Sequence, residues 1–120
     1  MRKTRRLPSV PLSVRLPSKK IREKFLIVCE LEGCQKAVDF LTEYYGVRRM
    51  RIVLDGRRVP KGFYGLYFKS RAYFTRESLK RRVVLHEFYH HLVDAKGYEL
   101  QSRIEEKEAN GYASEFLRNC

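Results

Sequence analysis

All three histidines of this 120-residue chain fall within six residues, in the run His86-Glu87-Phe88-Tyr89-His90-His91. His86 and His90 are four apart, so on a helix they project from one face and can grip one ion, with Glu87 beside them. His91 lies about 140° round from His86 and cannot share that ion; it reads as an ordinary polar residue. At 100° per residue Leu79, Val83, His86, His90 and Val93 form one stripe, while Val84, Phe88 and Leu92 make the opposite side apolar. The segment therefore predicts a helix from Ser78 to about Lys96, buried nearly all round and closed by Gly97. Two histidines and a carboxylate in such a place need partners, and a metal provides them. A bound zinc would acidify a water, with Glu87 as the group that takes its proton.

The rest of the chain must build a small domain around that helix. At this length one domain is expected, with 43% hydrophobic and 12% aromatic residues to fill a core. Helical spacing from Ile21 to Tyr45, broken near Gly33, sets Ala37, Phe40, Leu41 and Tyr44 on a core face, and Gly46 stops it. Met50–Leu54 alternates as a strand before the Asp55-Gly56 turn. Phe63–Lys69 and Arg71–Thr75 read as two more, and a last helix covers roughly Arg103 to Arg118. The order predicts an α+β fold with a small antiparallel three-stranded sheet, an active-site helix and a C-terminal glutamate helix.

With no other histidine available, a third ligand must be a carboxylate or a cysteine. The last helix offers Glu105, Glu106, Glu108 and Glu115. Its apolar arc comprises Ala109, Tyr112, Ala113, Phe116 and Leu117; Glu108 and Glu115 point away from it, toward solvent. Glu105 and Glu106 flank the arc on opposite sides, and the helical wheel alone does not choose. Asn110, one turn after Glu106, is placed to accept a hydrogen bond from a ligand histidine, which favours Glu106 as ligand with Asn110 behind the ring. Tyr98 and Tyr112 are candidate donors to an oxyanion. The strand around Ala72–Thr75 is the expected sheet edge for an extended substrate.

Charge is concentrated at the N-terminus. Residues 1–20 hold seven cations, no acid and three of the four prolines, out of a formal net charge of +12. They read as a basic, extended or disordered arm, 1–20, ahead of a domain at 21–120, and as a possible contact for nucleic acid or an acidic partner. No apolar run approaches the roughly 20 residues of a membrane span, and prolines interrupt any signal-peptide core, so a cytoplasmic protein without a membrane partner is expected. Cys29, Cys34 and Cys120 make an odd count with no C-x-x-C, which argues for a reducing interior, with Cys29 a small buried hydrophobe and the other two incidental.

His86-Glu87-Phe88-Tyr89-His90 followed by Glu106-Lys107-Glu108-Ala109-Asn110-Gly111-Tyr112-Ala113 and Phe116-Leu117 resembles the ImmA/IrrE-type metallopeptidases, which carry H-E-x-x-H and then E-x-x-A-N-x-F-A-x-x-L-L. Gly65-Leu66-Tyr67 and Ala72-Tyr73-Phe74 resemble that family's glycine turn and strand. The E-x-x-A-N element is also similar to the minigluzincins and to the catalytic core of HtpX/Ste24-like membrane proteases. The resemblance implies a minimal zincin-like fold of the gluzincin type and a zinc peptidase with Glu106 as third ligand. It also implies a protein or peptide substrate, in that family often a DNA-binding regulator. Tyr89 stands where the family has glycine, a departure expected to narrow the cleft. The contrasting expectation is a basic DNA-binding or regulatory module without peptidase activity, supported by the arm and by Arg48/Arg49, Arg57/Arg58 and Arg81/Arg82.

Overall fold

A computed structural model describes residues 15–118. The elements run α1 (Lys19–Glu32), α2 (Cys34–Tyr45), β1 (Arg51–Leu54), a short 3-10 turn at Gly56–Arg58, β2 (Gly65–Phe68), β3 (Arg71–Phe74), α3 (Arg81–Lys96) and α4 (Ser102–Leu117). The α+β class expected from the sequence is what the chain adopts. Gly33, at φ 99°, separates α1 from α2, and Gly46 closes α2 in the left-handed conformation that only glycine adopts without strain.

The sheet differs from expectation in one respect. Its strand order is β1-β3-β2, and it is mixed rather than antiparallel: β2 and β3 form an antiparallel hairpin, but β1 runs parallel to β3. The chain leaves β1, passes the central position, forms the far edge as β2 and returns through a two-residue turn at Lys69 and Ser70, both with positive φ. Thus β3 is the central strand, paired on both sides, and Ala72–Phe74 cannot be the substrate edge. The free edge beside α3, Arg81–Lys96, belongs to β2.

Alternation along β3 separates two faces. Ala72 and Phe74 are fully buried beneath α3, whereas Arg71 and Tyr73 point to the outer side. Phe25, Leu41, Met50, Phe74, Phe88 and Phe116 fill the core between the sheet and the four helices. Within α3, Val84, Leu85, Phe88, Tyr89, Leu92 and Val93 are all buried, the nearly continuous burial that the apolar pattern required.

Residues 1–14 of the basic arm lie outside the described residues. Its C-terminal part belongs to the body: Ser18 caps α1 by accepting from the Ile21 amide, Pro17 is buried, and α1 begins at Lys19, two residues before the expected boundary. Arg22 then donates from Nε to the Pro17 carbonyl and from Nη1 to carbonyls at the end of α4, where a cation meets the negative end of the helix dipole. No helix among the described residues is long and apolar enough to cross a membrane.

Candidate metal centre

Helices α3 and α4 pack against each other so that three side chains converge. The Nε2 atoms of His86 and His90 stand 3.3 Å apart. Glu106 reaches both, Oε1 at 3.1 Å from His86 Nε2 and Oε2 at 2.8 Å from His90 Nε2. One ligand atom from each of the three lies within 4.8 Å of the others. Two imidazole nitrogens bound at about 2.0–2.1 Å to a tetrahedral ion are separated by roughly 3.3–3.4 Å, so the pair already has the spacing such an ion requires. The side chains of His86 and His90 are 18% and 12% exposed while that of Glu106 is 58% exposed, so the group opens to solvent on the Glu106 side. A set of two imidazoles and one carboxylate around an open position suits zinc at a site that also admits a water or substrate.

The residues behind these three fix their orientation. Glu105, one of the two carboxylates that the helical wheel left open, sits 2.6 Å from His90 Nδ1, on the ring edge opposite Glu106. It therefore holds the ring from the side away from the His86, His90 and Glu106 group, a role that depends on where α3 crosses α4 and that the helical wheel does not contain. Asn110 lines the same cleft and acts on His86 to raise its affinity for a proton.

Electrostatics divides the two histidines. Burial and the neighbouring His90 charge push the His86 imidazole below the usual histidine range, against Glu106 and Asn110. Burial also acts to lower His90, but the hydrogen bond that it donates to Glu105 and the charges of Glu87, Glu105 and Glu106 override it and raise its affinity for a proton. Glu87 is only 6% exposed, and burial, with Glu106 adding to it against the pull of His90, pushes its carboxyl up to about 7. Gly65 at the start of β2 makes this placement possible. A Cβ there would come within 3.2 Å of Glu87 Oε2, Phe74 Cε1 and the Tyr73 carbonyl.

These groups line a cleft of about 1210 Å³ that runs between β2 and the loop before it on one side and α3 and α4 on the other. Exposed Phe63 and Tyr64 form part of its rim. Tyr98 also lines it. Tyr112 does not: it is buried, and its hydroxyl pairs with that of Tyr45 at 2.9 Å, deep between α2 and α4. Tyr89 does not narrow the cleft either. It turns into the core and donates to Glu108 Oε1 at 2.7 Å, so Glu108 faces the α3–α4 interface rather than solvent. His91 is fully buried and structural, its Nε2 2.6 Å from the Arg48 carbonyl and its Nδ1 2.9 Å from the Tyr67 hydroxyl.

Comparison with protein-family models, with curated proteins and with solved structures finds no match to this chain.

Proposed function

We propose that this chain is a zinc-dependent metallopeptidase. The observation that carries the reading is the convergence of His86 Nε2, His90 Nε2 and the Glu106 carboxylate beside a buried Glu87 in an open cleft. His86, His90 and Glu106 would hold the ion. Zinc bound there supplies a Lewis acid for the scissile carbonyl and an acidified water.

The chain's own residues do the rest. Glu87 takes a proton at its carboxylate as the nucleophile forms and returns it to the leaving amine. Its burial, which sets it close to neutrality, suits both directions of transfer. Glu105 holds the His90 ring so that Nε2 faces the ligand position. The free edge of β2 offers backbone groups to an extended peptide lying along the cleft, and α3 closes its other wall. Tyr98 is the candidate donor to the oxyanion.

The test pairs wild type with Glu87→Gln on a proteome-derived peptide library, with zinc content measured in both. Glu87→Gln is expected to keep the metal and the fold and to lose cleavage by about 10²-fold or more, on the order of a general-base contribution. Equal cleavage by the two proteins sinks the assignment.

A further inference from the structure

The outer face of the sheet carries charge that neither the fold nor the cleft uses. Register sets Arg51 opposite Arg71 on one side of β3 and Phe68 opposite Arg71 on the other. One row of three side chains thus crosses the sheet on the face turned away from α3. Like charges directly opposite on neighbouring strands, about 4.8 Å apart, work against strand pairing. Among the described residues neither guanidinium takes part in an ion pair, whereas nearby Arg48, Arg49, Arg57 and Arg58 all meet aspartates.

Aromatic surface accompanies the charge. Phe68 is 58% exposed at the end of this row. Lys69, at the hairpin tip, places Nζ 5.2 Å from the centre of the Phe68 ring. Tyr73, the next residue on this side of β3, is buried with Arg58 5.4 Å over its ring, so Phe68 supplies the exposed aromatic face of this row. A solubilising surface needs no opposed guanidiniums and gains nothing from an exposed phenylalanine among them. Cations that match phosphate oxygens, set around a ring that a base can cover, are the two components of a single-strand platform. A duplex hides its base faces from such a ring, an acidic peptide leaves the ring unused, and one phenylalanine is too little apolar surface for stable insertion into a bilayer.

We propose that this face binds single-stranded nucleic acid, with phosphates along Arg51, Arg71 and Lys69 and a base stacked on Phe68. The net charge of +12 steers the polyanion toward the protein. The metal-binding cleft lies on the other side of the sheet, so the bound strand leaves it open, and this inference does not rest on the peptidase reading.

Fluorescence polarisation of a labelled oligo(dT) of about 20 nucleotides with the full chain, across a series of KCl concentrations, tests it. Arg51→Gln/Arg71→Gln is expected to flatten the dependence of log K on log salt by about 1.4, roughly 0.7 for each phosphate that is no longer neutralised. Phe68→Ala should weaken binding about 5- to 100-fold, the loss of one stacked base, while Phe68→Trp retains it. Arg103→Gln/Lys107→Gln, exposed cations on α4, should change neither quantity. The basic N-terminal segment is present in every variant, so the differences report on the sheet face alone. Removing opposed like charges should leave the double variant at least as thermostable as wild type, which separates weakened binding from impaired folding. A wild-type salt slope in the double variant, no effect of Phe68→Ala, or equal competition by duplex DNA, polyglutamate or phosphatidylserine vesicles would overturn the proposal.

Discussion

Glu105 Oε2 stands 2.6 Å from Nδ1 of His90, on the opposite edge of the ring from the Nε2 that Glu106 approaches. Two adjacent glutamates thus act on one imidazole from its two ends. If Glu106 is a ligand and Glu105 its support, Glu106→Ala should lose most of the zinc. Glu105→Ala should keep the stoichiometry and weaken affinity by about 10- to 100-fold, the usual effect of removing an outer partner of a ligand histidine. Competition against a chromophoric chelator gives both numbers. Equal losses in the two variants would remove the distinction.

His86 and His91 lie on the same helix and should fail in different ways. His86→Ala is expected to abolish stoichiometric zinc with little change in the stability of the metal-free protein. His91→Ala should leave zinc at one per chain but cost about 2–4 kcal/mol. It strands the Arg48 carbonyl, leaves the Tyr67 hydroxyl with Asp94 and Ser70 alone, and opens a void where a fully buried ring had been. Elemental analysis and urea unfolding of the two variants check this, and full occupancy in His86→Ala would refute the ligand set.

Gly65 tests the packing behind Glu87. Gly65→Ala sets a methyl 3.2 Å from the Tyr73 carbonyl, which β3 holds in place, and from Glu87 Oε2, which can move. The strand should give little and the carboxylate should be displaced. The expected result is a stability loss of about 1–3 kcal/mol, as for other overpacked sites, with peptide cleavage falling further than zinc affinity. Unchanged cleavage with unchanged stability would show that the strand accommodates the methyl freely.

What the sequence disclosed follows from the range over which each feature acts. The convergence of His86 with His90 and of Glu106 with Asn110 needs only the helical period, so both pairs were readable. The direction of β1 was not: four-residue strands carry no signal for parallel against antiparallel pairing, and the expected sheet took consecutive strands to be neighbours. That assumption held for the β2–β3 hairpin and failed for β1, which moved the free edge from β3 to β2. The roles of Glu105, Glu108 and Tyr89 depend on how α3 crosses α4, which no single-helix projection contains. His91 reads as polar by residue type, and only the tertiary fold shows it bridging a loop carbonyl and a tyrosine from β2.

The stretch from Arg15 to Ser18, assigned by composition to the arm, should matter to stability. Ser18 caps α1, Pro17 is buried, and the Arg15 carbonyl accepts from the Tyr45 hydroxyl at 2.6 Å. Deleting residues 1–18 is therefore expected to leave the protein about 2 kcal/mol less stable than deleting residues 1–14, from one cap and the hydrogen bonds to the Arg15 and Pro17 carbonyls. Thermal melting of the two truncations side by side measures the difference. Equal melting temperatures would place the boundary where composition put it.

Cys34 is the last residue whose environment the sequence concealed. Its Sγ lies 3.4 Å from that of Cys29 across the α1–α2 break, so it is not incidental, and both thiols are free. Burial first, then the contact with Cys29, pushes the Cys34 thiol from 9.0 to about 12, against a smaller pull from Arg81. At about pH 8 the thiolate that attacks an alkylating reagent is then much rarer than in the unfolded chain. The greater nucleophilicity of a more basic thiolate recovers part of that loss. Iodoacetamide should therefore label Cys34 more slowly in the native protein than in urea, by about 10-fold or more, followed by peptide mass spectrometry. The sign for stability follows from the same shift. The folded thiol holds its proton more tightly than the unfolded one, so its contribution is fully present below about pH 9 and is lost as pH rises toward about 12. Cys34→Ala should accordingly flatten the decline of the urea midpoint above about pH 9. Native labelling as fast as in urea would mean that neither burial nor Cys29 restrains this thiol.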